Sequence, residues 1–159
     1  NVEKHLEHLT FLKDKGIIKY IGVTTSHGRR HDELESIIKS KNLDFVQFTY
    51  NILDDEAERT LLPLSAENNL AVIINRPFRR GQLFDLIKNK PFPEWAKEYD
   101  ISNWPEFFLK FIISHPSVTS AIPATSKRTH MLENMNACYG MLPDENLRIK
   151  MKQYFLSII

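Results

Sequence analysis

The chain has 159 residues, 42% hydrophobic and 26% charged, which fits one soluble globular domain with a buried core. A formal net charge of +1 supplies no field to recruit nucleic acid or an anionic membrane. The longest apolar runs, 70–74 and 107–113, fall far short of the ~20 residues a membrane span needs, and the single cysteine, Cys138, excludes an internal disulfide and fits a reducing, cytoplasmic setting.

The sequence opens on Asn1 rather than methionine, and residues 2–15 already read as a helix in mid-domain. Val2, Leu6, Leu9, Phe11 and Leu12 broadly share a face, and Gly16 stands where a helix-ending glycine would. No charged stretch leads into an apolar one, so no signal peptide is visible and the chain reads as a piece of a longer one. A short β-branched run at 17–23 predicts a buried strand. Residues 31–40 follow as a helix, with Leu34, Ile37 and Ile38 at helical spacing. The second strand is expected at 45–48, a connecting helix at 55–69 and a third strand at 70–74. That third run is apolar throughout, as suits a parallel strand covered on both sides.

The segment 75–100 contains Pro77, Gly81, Pro91 and Pro93, with one helical turn near 83–88. A long segment of this kind after a parallel strand is expected to be functional. An amphipathic helix at 104–115 ends at Pro116. The fourth strand is expected at 118–122 and the closing helices at 129–139 and 144–157. Asp144 is the expected cap of the last helix and Glu145 lies in its first turn. Regular alternation of strand and helix over 1–159, with no linker, predicts one α/β domain built on a parallel sheet with right-handed crossovers. Periodicity leaves two architectures open, a small doubly wound sheet and half of an eight-fold barrel.

Motifs discriminate between them. Lys15-Gly16-Ile17-Ile18-Lys19-Tyr20-Ile21-Gly22-Val23-Thr24 and Asp44-Phe45-Val46-Gln47-Phe48-Thr49-Tyr50-Asn51 resemble successive strand motifs of the aldo-keto reductases. Asn75-Arg76-Pro77-Phe78-Arg79-Arg80-Gly81-Gln82-Leu83 is similar to the loop after that family's next strand. The stretch from His115-Pro116 through Ile122-Pro123-Ala124-Thr125-Ser126-Lys127 to His130-Met131-Leu132-Glu133-Asn134 resembles its last strand–helix unit. Together the motifs cover nearly the whole chain, in the family's order and spacing. The resemblance implies four βα units forming the C-terminal half of a (β/α)8 barrel, with the active site at the C-terminal ends of the strands. The family's catalytic Asp, Tyr, Lys and His belong to the first half, whose motifs this sequence does not contain.

The same resemblance implies an NADP site. Gln47, a polar side chain in an apolar strand, would hold the nicotinamide carboxamide with Thr24 and Thr25, which stand where Ser-Asn is usual. Asn75 falls where many relatives place an aromatic residue that stacks on the nicotinamide, so Phe78 or Trp95 would have to supply that wall. Arg76, Arg79 and Arg80 suit the pyrophosphate, since guanidinium groups bind phosphate bidentately. Thr125 and Lys127 lead into a helix whose N-terminus attracts anions. Lys127 and His130 are the candidates for the 2′-phosphate, Glu133 for the ribose side and Asn134 for the adenine. The segment 84–104, with Trp95, Tyr99 and Trp104, is expected to form part of a substrate wall.

Plainer readings compete at each position. Gln47 could be a satisfied core glutamine, the arginines a solvated basic loop, and Glu133 with Asn134 an ordinary helix face. Tyr50 is the best-placed substitute acid, yet no lysine in its motif lowers its pKa from ~10, so packing is its expected role. His5, His8, His27 and His31 lack metal-ligand spacing, and the Arg29-Arg30 and Arg79-Arg80 pairs make a weak nucleic-acid signal at this net charge. The intact protein is therefore expected to reduce aldehyde, ketone or sugar carbonyls with NADPH. The alternative is a catalytically silent nucleotide-binding or assembly module. Either reading expects a half-barrel to pair, with a second copy or with its missing N-terminal half.

Overall fold

The computed structural model describes residues 2–26 and 30–159, so His27 and Arg29 lie outside the described residues. Strands β1 (Gly22–Thr24), β2 (Phe45–Thr49), β3 (Ala71–Asn75) and β4 (Ser120–Ala121) form one sheet in the order β1-β2-β3-β4, parallel throughout. A doubly wound sheet reverses its strand order at a switch point. Here each strand pairs with its neighbours in sequence, as along the wall of a barrel, and that closes the choice left open by periodicity. Seven α-helices accompany the described strands: α1 (Val2–Asp14), α2 (His31–Ser40), α3 (Leu61–Glu67), α4 (Gln82–Leu86), α5 (Trp104–Ile113), α6 (Arg128–Asn136) and α7 (Glu145–Ile158). Among the described residues no helix is long and apolar enough to cross a membrane.

Several elements depart from the sequence expectation for local reasons. The first strand begins at Gly22, not Ile17, because the backbone before it bonds elsewhere. The Ile21 N–H donates to the Asp44 carboxylate at 2.8 Å, and Ile17 and Tyr20 stay exposed. Gly22 is required, since a Cβ there would collide with the Phe45 carbonyl. The helix expected over 55–69 splits into a 3-10 turn (Glu56–Glu58) and α3. Pro63 explains the break: it has no N–H to bond back into the preceding turn. In β4 the ladder gains support from its flanks, with Thr119 Oγ1 accepting from Val72 N at 2.9 Å and Ile122 N donating to Ile74 O at 2.9 Å.

The two faces of the sheet differ. Val46, Phe48, Val72 and Ile74 point outward and are completely buried, under a layer that includes Leu61, Leu62, Phe107, Ile112 and Phe155. The alternate residues Phe45, Gln47, Ala71 and Ile73 face the other way and are only half-buried. Strand periodicity of two creates this split. Helix α5 carries most of the outer layer because its Asn103 cap accepts from Glu106 N at 2.9 Å and Pro105 suits its first turn. The expected Asp144 cap of α7 is present, accepting from Leu147 N at 2.8 Å.

Candidate functional site

The C-terminal ends of β2 and β3 carry a row of polar groups on the inner face. Thr49 Oγ1 donates to Asn75 Oδ1 at 2.7 Å, and Asn75 Nδ2 donates to the Thr25 carbonyl at 2.8 Å. Thr25 N in turn donates to the Gln47 carbonyl at 2.9 Å. Asn75 therefore uses both ends of its amide to brace three strand ends. Gln47 stands one step below Thr49 on the same face, in register with Thr24 on one side and Ile73 on the other. Its side chain is half-buried and makes no hydrogen bond among the described residues.

Beside this row lies a groove of about 900 Å³, walled by the loop after β3, the start of α5, the loop after β4 and the first turns of α6. It gathers Arg76, Arg80, Thr125, His130, Glu133 and Asn134, all expected from the sequence, around an apolar floor of Phe78, Phe84, Trp104 and Ile122. Arg76 and Arg80 form no ion pair among the described residues, so the rim presents two guanidinium groups able to meet an anion, with His130 and Glu133 in the same lining. Asn134 is buried, with Nδ2 3.5 Å from the Pro123 carbonyl.

Other expected residues lie apart from the groove. Arg79 turns away and pairs with Asp54 at 3.3 Å. Lys127 is exposed in the capping position of α6, where its N–H donates to Thr125 Oγ1 at 3.1 Å. Thr24 and Thr25 line a second, smaller hollow of about 340 Å³ between α1, β1 and α2. Of the aromatic residues expected in the wall, Trp104 reaches the groove, whereas Trp95 and Tyr99 do not. Trp95 packs edge-on to Tyr154 and against Phe107, and takes the Lys150 ammonium over its ring at 4.1 Å.

Tyr50 is settled by its surroundings. It belongs to the outer face and is completely buried, donating to Glu58 and accepting from Arg148. Burial pushes its phenol well above the usual range, opposed by Arg148 and assisted by Glu58. Such a hydroxyl cannot deliver a proton to a ligand on the far side of the sheet. No tyrosine lines the groove. Two groups escaped the sequence reading, Asn51 and Asp54 in the loop after β2. Their only signal was an Asn-x-x-Asp spacing of the kind that builds Asx turns.

Residues 1–150 match the aldo/keto reductase family. Among curated relatives, the chain is 23% identical over 160 residues to the uncharacterized oxidoreductase YqkF of Bacillus subtilis (strain 168), covering 86% of this chain and 50% of that protein. It is 31% identical over 104 residues to the NADH-specific methylglyoxal reductase of Escherichia coli (strain K12), covering 65% of this chain and 31% of that one. The aldo-keto reductase AKR11C1 from Bacillus halodurans, in its holo form, superposes with a TM-score of 0.73 at 21% identity, covering 97% of this chain and 56% of that one. The thermostable aldo-keto reductase Tm1743 gives 0.70 at 25% identity, covering 98% and 55%. The chain thus spans half or less of the curated relatives' length and carries the fold of about half a solved barrel. It belongs to the aldo/keto reductase family.

Proposed function

We propose that this chain is the cofactor-holding half of an NADP-dependent aldo-keto reductase acting on aldehyde, ketone or sugar carbonyls. One observation carries the reading: a single groove, walled by this chain alone, joins the arginine loop after β3 to the start of α6. Its volume falls within the ~300–1,000 Å³ typical of small-molecule sites, and an apolar floor with a few convergent polar groups is the usual composition. A dinucleotide matches that donor set. Arg76 and Arg80 would meet the pyrophosphate, with Thr125 and the free N–H groups at the start of α6 beside them. His130 and Lys127 would take the 2′-phosphate, Glu133 the ribose and Asn134 the adenine. Gln47, with Thr24 and Thr25, would orient the carboxamide on the inner face, next to the Asn75 brace. When bound, a reduced nicotinamide supplies hydride to a carbonyl carbon. This chain's residues fix the ring and exclude water from one side; the proton donor is assigned, by family resemblance, to a tyrosine of the barrel's first half.

The test is a fluorescence titration of the chain with NADPH and with NADH. NADPH is expected to bind more tightly. His130→Ala and Lys127→Ala should each weaken it about 10-fold and leave NADH nearly unchanged, as loss of one charge-assisted contact implies. Equal losses for both cofactors would move these residues to the shared pyrophosphate. A preference for NADH would align the chain with the E. coli relative's name, and no binding of either cofactor would remove the reading. The half-exposed inner face keeps a second reading in play, a silent nucleotide-binding module that completes a barrel by assembly. Restoration of carbonyl reduction by an added N-terminal half distinguishes the two.

A further inference from the structure

We propose that Asn51 and Asp54 are positioning residues that hold the arginine loop in its anion-facing shape, an inference that rests on the cofactor reading above. Within five residues of that loop three arginines adopt left-handed backbone angles: Arg76 at φ 52°, Arg79 at φ 50° and Arg80 at φ 58°. Residues with a Cβ avoid this region, and a run of them persists only where the surroundings over-determine it. Internal turns supply part of the restraint, through Arg79 N to Arg76 O at 2.9 Å and Gly81 N to Phe78 O at 2.8 Å.

The remainder comes from the loop after β2. Asn51 is completely buried and uses both ends of its amide. Its Oδ1 accepts from Leu53 N and Asp54 N, each at 3.0 Å, which shapes its own loop. Its Nδ2 donates to Asp54 Oδ2 at 2.9 Å and crosses to the Arg76 carbonyl at 3.2 Å. The other carboxylate oxygen of Asp54 takes Arg79 Nη2 at 3.3 Å. One amide and one carboxylate therefore fasten the arginine loop at its first and fourth residues. The consequence is a division of labour among three similar side chains. Arg79 is consumed as the tether, while Arg76 and Arg80 line the groove.

The experiment measures NADPH and NADH affinity by fluorescence, and the thermal midpoint, for Asp54→Asn, Asp54→Glu, Arg79→Gln and the double variant Asp54→Asn/Arg79→Gln. The Asp54–Arg79 pair is partly exposed, so these variants should fold. Asp54→Asn and Arg79→Gln should each weaken both cofactors by the same factor, about 5- to 10-fold, leaving their ratio unchanged because the pyrophosphate is common to both. The double variant should lose no more than either single one, the signature of two groups acting through one contact. Asp54→Glu should recover most of the affinity. A wild-type chain that binds while Asp54→Asn binds equally well overturns this inference alone. So does a loss confined to Arg79→Gln, which would make Arg79 a direct phosphate ligand. A wild-type chain that binds neither cofactor takes away the cofactor reading, and this inference with it.

Discussion

The outer and inner faces of the same four strands treat polar groups in opposite ways. On the outer face Tyr50, Glu58 and Arg148 bond to one another, and Arg148 also donates to the Phe111 carbonyl at 3.1 Å and lies over its ring. All three side chains in that cluster have partners, as burial favours. On the inner face the Thr25–Asn75–Thr49 chain is closed, whereas the half-buried Gln47 amide has no protein partner, and Arg76, Arg80 and His130 form no ion pair among the described residues. The contrast teaches where to look for function in such a sheet. Buried polar groups paired with one another hold the layers together, and the polar groups without a protein partner lie on the solvent-accessible inner face and groove rim.

The largest expected effect tests whether the inner face is chemically complete. No tyrosine lines the groove and Tyr50 is locked on the opposite side, so the chain alone should oxidise NADPH with nitrobenzaldehyde no faster than background. Loss of a positioned acid alone removes roughly 10²–10⁴-fold, and loss of substrate positioning adds to it. Robust turnover abolished by Tyr50→Phe would break the comparison at its root.

A paired substitution on β2 sharpens it. Phe48→Ala, on the outer face, should cost about 3–5 kcal/mol of stability in denaturant unfolding. Gln47→Ala, one residue away, should change stability by less than ~0.5 kcal/mol yet weaken NADPH about 10-fold. Equal stability losses at both positions would mean that the inner face is also packed core.

The open inner face and the two unpaired strand edges, at β1 and β4, bear on assembly. Light scattering at micromolar concentration should find a dimer or larger species. A cooperative, compact monomer would show that the half-barrel covers its own interior.

The smallest effect belongs to the outer network. His115 stacks edge-on against Tyr50 and accepts from Ser117 N at 3.2 Å through Nδ1. Burial, and then the nearby Arg148, push its pKa below the usual histidine value. With the folded pKa depressed, the neutral form is favoured in the fold. Its contribution is therefore present above pH ~6.5 and is lost as pH falls through the folded value. The unfolding midpoint should decline between pH 7.5 and pH 5, and His115→Gln should flatten that slope. An unchanged slope would remove His115 as its source.

Much of the fold was legible from residue patterns. The continuous apolar run 70–74, the Asp144 cap and Pro116 are local signals, and each falls where its element does. Boundaries slipped where a distant partner decided them, as when the Asp44 carboxylate held Ile21 out of the first strand. For the site, the family resemblance nominated six groups that converge on one groove, because they sit on the loop after β3, the loop after β4 and the helix α6 that follows it, which neighbouring parallel strands bring side by side. What the sequence determined by itself was the alternation of strand and helix, the parallel sheet and the stock of cationic and amide side chains, since periodicity and composition are properties of neighbours along the chain. Tertiary structure alone decided that Arg79 pairs with Asp54 while Arg76 and Arg80 line the groove, that Trp95 packs against the core, and that Asn51 reaches across to Arg76. These are choices among chemically similar groups, and only the packing of one loop against another separates them.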